Sequence, residues 1–262
     1  MEEKKNTFQN IKRRGVLAVP SLFTIGNMAC GFFSILASVN GNFHKAGWLI
    51  LIALLLDGLD GRVARMLNAE TDFGVEMDSL ADLATFCAAP AFLVYFMALN
   101  KYALFGAPIA FFYMLCGGLR LAKFNTMAKA GTGSKKYFSG LPTPAAAAIL
   151  AAFAISYSIF IDVNVSGQNI IYLEHILPFI YNSTAFIVVF LGLLMVSKIP
   201  YAAFKDKKER RRRGIPFMLL IAVIIFLLIK YPQNVVFIVF SLYVIVGLLA
   251  VLLRAFKRIE EK

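Results

Sequence analysis

From Trp48 to Asp82 the chain reads WLILIALLLDGLDGRVARMLNAETDFGVEMDSLAD. An apolar run leads without a break into Asp57, and Asp57, Asp60, Asp78 and Asp82 all lie in or beside segments hydrophobic enough to span a bilayer. A carboxylate at the centre of an inserted helix costs about 2.5–3.5 kcal/mol on insertion scales. Four placed there without purpose would be expelled. The stretch therefore reads as the lining of a polar site that holds something positive, set inside a helical membrane protein.

The rest of the chain agrees. Hydrophobic residues make up 60% of its 262 residues and charged residues only 16%, against roughly 25% in soluble domains, and the mean hydropathy is +0.73. This excludes a soluble globular domain. Apolar segments near the length of about 20 residues that a spanning helix needs fall at 17–39, 46–64, 77–99, 102–122, 143–163, 179–197, 215–230 and 234–253. The expected fold is an all-α polytopic membrane protein of about eight transmembrane helices. Of the 27 lysines and arginines, only Lys45, Lys101 and Lys230 fall on one side of these spans. The positive-inside rule then puts both termini in the cytoplasm, with the carboxylates near the cytoplasmic face of the cell membrane.

The net charge of +12 is thus a topology and headgroup signal, and no nucleic-acid partner is implied. Lys205–Arg213 (KDKKERRRR) would lie against anionic lipid, each basic residue contributing about 1 kcal/mol near such a surface. The basic start followed by an apolar stretch resembles a signal peptide. Its apolar part is longer than the usual h-region and seven spans follow, so it reads as a retained first helix. Cys30, Cys87 and Cys116 have no metal-like spacing and read as small buried residues. His44 and His175 fall on the outer side, away from the carboxylates.

Helical phase sharpens the site. At about 100° per residue, Asp57, Asp60, Gly61, Ala64 and Arg65 share one side of the second helix. Gly74, Asp78 and Asp82 recur one turn apart on the third. The short connection between Arg65 and Gly74 makes these helices antiparallel neighbours, so four carboxylates converge. Asp57 lies about 12 Å below Arg65 along the axis, sunk beneath the headgroups. Unneutralised, such a cluster repels itself. All-oxygen ligand sets suit hard cations such as Mg²⁺, Mn²⁺ or Ca²⁺, and four carboxylates suit two ions better than one. Two such ions can clamp the attacking and leaving oxygens of a phosphoryl transfer, while Gly61, Gly74 and Ala64 leave room for a phosphate to approach the backbone. On the first helix, Thr24 and Asn27 at i, i+3 either pack helices together or hydrogen-bond a ligand's polar head.

The pattern D-x2-D-G-x2-A-R-x8-G-x3-D-x3-D, filled by Asp57, Asp60, Gly61, Ala64, Arg65, Gly74, Asp78 and Asp82, resembles the signature of the CDP-alcohol phosphatidyltransferases. The resemblance implies a homodimeric enzyme with a six-helix core at about 17–200. A basic tail would precede it at 1–16, and a polybasic loop (201–214) and two further helices with a basic tail (215–262) would follow. It implies that the four aspartates hold two divalent cations, Mg²⁺ or Mn²⁺, that Asp78 takes part in catalysis and that Asp82 doubles as general base. Asp57, Gly61, Ala64, Arg65 and Gly74 would hold the CDP moiety, with Thr24 and Asn27 added to that set.

The acceptor is read from later residues. Helix four ends in GGLRLAKFN, with Arg120 and Lys123 at i, i+3, and the next loop runs through Lys135 and Lys136 to Phe138–Pro144 (FSGLPTP). With Pro20–Asn27 (PSLFTIGN) these stretches resemble the serine-using branch of the family, implying CDP-diacylglycerol and L-serine as substrates. A serine hydroxyl needs a base, which Asp82 is placed to supply. Its carboxylate needs a cation, and Arg120, Lys123, Lys135 and Lys136 are the candidates, an arginine being suited to a bidentate grip. Glycerol 3-phosphate or an inositol phosphate would also be drawn to these cations, so charge leaves the acceptor open. A divalent-cation transporter would use the carboxylates too, but would have no need of the glycines and the Ala-Arg pair.

Overall fold

A computed structural model describes residues 22–66, 71–130, 137–165, 179, 181–197, 199–202 and 230–260. The described chain is helical except for one pair of three-residue strands. Helix α1 (Leu22–Val39) ends where Gly41 takes φ +74°. Gly41 N–H bonds the Ser38 carbonyl at 3.1 Å and Asn42 N–H bonds that of Ala37 at 2.9 Å. This is the paired closure by which a left-handed glycine satisfies the last carbonyls of a helix. Asn42 then caps the next helix, its Oδ1 accepting from Lys45 N–H at 3.1 Å, and α2 (Phe43–Met66) returns antiparallel beside α1. Ser34 fastens the pair by donating to the Ala46 carbonyl at 2.9 Å.

Helix α3 (Asp72–Asp82) is capped by Thr71, whose side chain accepts from Gly74 N–H. It runs on into a π-helical turn, Leu83–Ala88, then α4 (Ala89–Val94) and a second π turn, Tyr95–Leu99. The rod is continuous despite Pro90, which has no N–H to give the carbonyl of Phe86 four residues back. The wider turn makes room for the ring, and the hydroxyl of fully buried Tyr113 donates to the freed Phe86 carbonyl at 3.3 Å. A tight 3₁₀ segment, Asn100–Phe105, with Ala103 at φ 45°, reverses the chain into α5 (Gly106–Lys129). The fourth span thus starts and ends several residues later than 102–122. The apolar stretch Asp72–Met127 is two antiparallel helices around this reversal.

Strand β1 (Tyr137–Ser139) pairs antiparallel with β2 (Pro200–Ala202), an addition to the all-α expectation. It joins the chain entering α6 (Thr143–Val165) to the chain leaving α7 (Thr184–Val196), where backbone groups outside the helices need partners. Gly140, at φ +86°, takes a position where a Cβ would strike the Met195 carbonyl oxygen. Helix α8 (Pro232–Glu260) closes the described chain.

Helix α6 is the packing centre. Its residues from Ala145 to Ile155 are buried, and its many alanines let α2, α4 and α8 approach closely, the small-residue packing that serves in place of a hydrophobic drive within lipid. Among the described residues, Leu22–Val39, Asp72–Met127, Thr143–Ile161 and Pro232–Ala250 are long and apolar enough to cross a membrane, and Thr184–Val196 is a shorter apolar helix. Helix α2 matches them in length but carries Asp57, Asp60 and Arg62 in its second half. The anticipated span at 215–230 lies almost wholly outside the described residues, as do the N-terminal tail and the polybasic loop. The end of the bundle opposite the aspartates is tied by Lys101, whose Nζ bonds Asn182 Oδ1 at 3.1 Å and sits 4.1 Å from the centre of the Tyr181 ring.

Candidate active site

Carboxylates from the second half of α2 and from α3 come together at one end of the bundle, where the sequence predicts their convergence. Asp57, Asp60 and Asp78 each present an oxygen within 4.8 Å of the others. Asp82, one turn beyond Asp78, lies outside this group of three but within electrostatic range of all of them. Carboxyl groups this close must share a proton or a cation, because bare charges would repel. Asp60 is only 5% exposed, and the Thr24 hydroxyl donates to its Oδ2 at 3.1 Å. The Gly61 backbone N–H reaches the same carboxylate.

Hard divalent cations fit this set. Every donor is an oxygen, the type such ions select. Asp78 Oδ1 and Asp82 Oδ1 are buried without a hydrogen-bond partner, which is costly unless something else occupies them. Both belong to the carboxylates assigned to metal from the sequence.

The first helix contributes more than packing. Asn27 is fully buried, and neither atom of its side-chain amide has a partner. It lies one turn beyond Thr24 on the same face, and its backbone carbonyl accepts from the Thr85 hydroxyl at 3.0 Å. Thr85 is three residues beyond Asp82, so the orphaned amide sits against the rod that carries the last aspartate. Gly31, one turn further, allows this closeness: a Cβ there would be 2.9 Å from the Thr85 Cα.

Two cations that the sequence treats alike part company. Arg120 turns inward, donates from Nη1 to Thr143 Oγ1 at 3.3 Å, keeps a buried Nε without a partner, and stands within electrostatic range of Asp82. Lys123 is exposed. Gly61 is exposed on α2, while Gly74 also serves the N-terminal cap of α3. The side chains of Ala64 and Arg65, and Lys135 and Lys136 entirely, lie outside the described residues. Three contributors went unforeseen: Thr143 at the head of α6, Thr85 on the first π turn, and Gly117, whose hydrogen faces Cys87 where a Cβ would strike the sulfur. FSGLPTP contains Thr143, but its spacing gave no sign of a partner 23 residues away.

Comparison with known proteins places the chain in a family. The CDP-alcohol phosphatidyltransferase family model matches residues 17–180, which include all four aspartates and Arg120. A CDP-diacylglycerol–serine O-phosphatidyltransferase of Helicobacter pylori is 33% identical over 93% of this chain and 94% of its own length. One of the same name from Bacillus subtilis is 37% identical over 71% of this chain and 91% of its own. An archaetidylserine synthase of Methanothermobacter thermautotrophicus is 35% identical over 71% and 70%. With the family model matching more than half of the chain and these relatives aligned along most of its length, this chain belongs to the CDP-alcohol phosphatidyltransferases.

Proposed function

We propose that this enzyme transfers the phosphatidyl group of CDP-diacylglycerol to L-serine, giving phosphatidylserine and CMP. The observation that carries the reading is the pairing of an oxygen-rich carboxylate cluster with a buried, incompletely satisfied arginine beside Asp82. One half suits a pyrophosphate and its cations. The other suits a small acceptor bearing a carboxylate. The names of the relatives support serine as that acceptor.

In this reading both termini and the site face the cytoplasm, eight helices span the cell membrane, and the enzyme works as a homodimer among anionic lipids. The diacylglycerol tails stay in the bilayer while the nucleotide enters between α1, α2 and α3. Gly61, Ala64, Arg65 and Gly74 are the residues assigned to the CDP moiety, and the Asn27 amide offers a donor and an acceptor to it. Asp57, Asp60, Asp78 and Asp82 would hold two Mg²⁺ or Mn²⁺ ions. Such ions, when bound, supply positive charge that draws in the pyrophosphate and offsets the charge developing on the phosphoryl oxygens. Arg120 grips the serine carboxylate and turns its hydroxyl toward Asp82, which accepts the proton. The serine oxygen bonds to the β-phosphorus as the bond to the bridging oxygen of CMP breaks, and CMP departs with that electron pair.

Purified enzyme given CDP-diacylglycerol, Mg²⁺ or Mn²⁺ and a panel of labelled serine, glycerol 3-phosphate and inositol phosphate tests the reading. Serine alone should enter lipid, with one CMP released per lipid formed. CMP release driven only by a phosphorylated acceptor would overturn the choice of serine. Metal uptake into proteoliposomes without CMP release would overturn the transferase reading itself.

A further inference from the structure

Helix α8 lies beyond the residues matched by the family model, which end at 180, so the chemistry common to the family is built without it. Yet α8 is seated against the catalytic bundle. Starting at the far end, where Ser156 of α6 bonds Asn234 Oδ1 at 3.2 Å, it runs antiparallel to α6 toward the site. Val244 is buried in a larger cluster that includes Cys116, Leu141, Ala145, Ala146, Leu194 and Met195, and Tyr243 packs on the same cluster. Cys116 is one turn before Arg120, and Ala145 and Ala146 directly follow the helix entrance at Thr143, to which Arg120 is bonded. Tyr243 consequently stands within electrostatic range of Arg120. A tyrosine is an apolar body with a polar tip, so it can pack on this cluster while offering a hydroxyl of the kind that donates to a carboxylate.

We propose that Tyr243 forms the far wall of the acceptor site and that its hydroxyl, acting with Arg120, sets how tightly a carboxylate-bearing acceptor is held. It is a specificity-determining residue supplied by α8 rather than by the family core. The proposal rests on the reading of Arg120 as the acceptor cation. On this view α8 completes a pocket whose catalytic half is built elsewhere.

The test compares Tyr243→Phe with the native enzyme, measuring KM for serine, KM for CDP-diacylglycerol and kcat. Losing one hydrogen bond to a charged group should raise KM for serine about tenfold, leaving kcat and KM for the nucleotide lipid unchanged. Val244→Ala, which removes packing from the same helix but no polar atom, should lower thermal stability without moving KM for serine. In an Arg120→Lys background the Tyr243→Phe change should have little further effect, because both groups act on one carboxylate. An unchanged KM in Tyr243→Phe, or the same tenfold rise in both backgrounds, overturns the proposal. If native enzyme incorporates no serine, the acceptor reading has failed separately. The same comparison on the anionic acceptor it does use then decides for or against Tyr243.

Discussion

Replacing Gly31 by alanine tests whether the site depends on the close crossing of α1 and the rod that begins with α3. An added Cβ would lie 2.9 Å from the Thr85 Cα and 3.0 Å from its Cβ, and would also strike the Thr85 hydroxyl. Carbon atoms rest at about 3.5–4.0 Å, so the two helices must part by roughly 0.6–1 Å. The nearest obstruction includes backbone, which no rotamer change can clear. Overpacking of this kind typically costs about 1–3 kcal/mol, enough to lower the melting temperature without unfolding the protein. The effect on turnover should be larger. Thr24 and Asn27 ride on α1 and Asp82 is three residues before Thr85, so the same parting opens the site, and a misplacement of about 1 Å can cost on the order of 100-fold in rate. The assay is CMP release from CDP-diacylglycerol in detergent at saturating serine, paired with thermal unfolding. Adding Thr85→Ala should restore only part of the rate, because the Thr85 Cα and Cβ remain. As a control, Gly118→Ala meets only the end of the Leu83 side chain at 3.4 Å and should stay within about twofold of native. A Gly31→Ala enzyme that also turns over within twofold of native would refute the claim that this crossing sets the site.

Asp82→Asn should abolish turnover while CDP-diacylglycerol remains bound, measured by retention of labelled lipid; full activity would remove Asp82 as the base. Thr24→Val keeps the shape but loses the 3.1 Å bond to Asp60. The Mg²⁺ concentration for half-maximal activity should rise about 10-fold or more, and an unchanged titration would sever Thr24 from the proposed metal site. Tyr113→Phe strands the Phe86 carbonyl that Pro90 already leaves without a helical donor, at a cost of about 1–3 kcal/mol in thermal or denaturant unfolding. No loss there would mean that carbonyl is satisfied some other way.

The aspartate cluster was legible because helical phase is local. Asp57 with Asp60, and Asp78 with Asp82, are each fixed by a single turn, and the short 65–74 connection leaves the two helices little choice but to meet. What phase could not do was rank residues whose fate depends on a distant surface. Arg120 and Lys123 are equivalent by spacing. Arg120 turned inward because Thr143 and the carboxylates wait there, while Lys123 faces out. Thr24 was equally ambiguous until Asp60 appeared opposite it. The π turns had only Pro90 as a clue, and a proline inside a span is as readily taken for a kink. Tyr243 lay furthest from reach, since its neighbours are set by α8 folding back along α6, a long-range contact with no periodic signature.

The tie between the α3–α4 rod and α5 has a consequence for acceptor length. Tyr113 holds Phe86 through its hydroxyl, and Gly117 lets the rod press against α5 at Cys87. Both ties lie within two turns of Asp82 on one helix and of Arg120 on the other. The residues proposed as proton acceptor and carboxylate-binding cation are therefore mounted on a single stiff frame, which on that proposal acts as a gauge. An acceptor is measured by the number of atoms between its hydroxyl and its carboxylate. Homoserine, longer by one methylene, would satisfy one jaw only by missing the other, however well its charges matched.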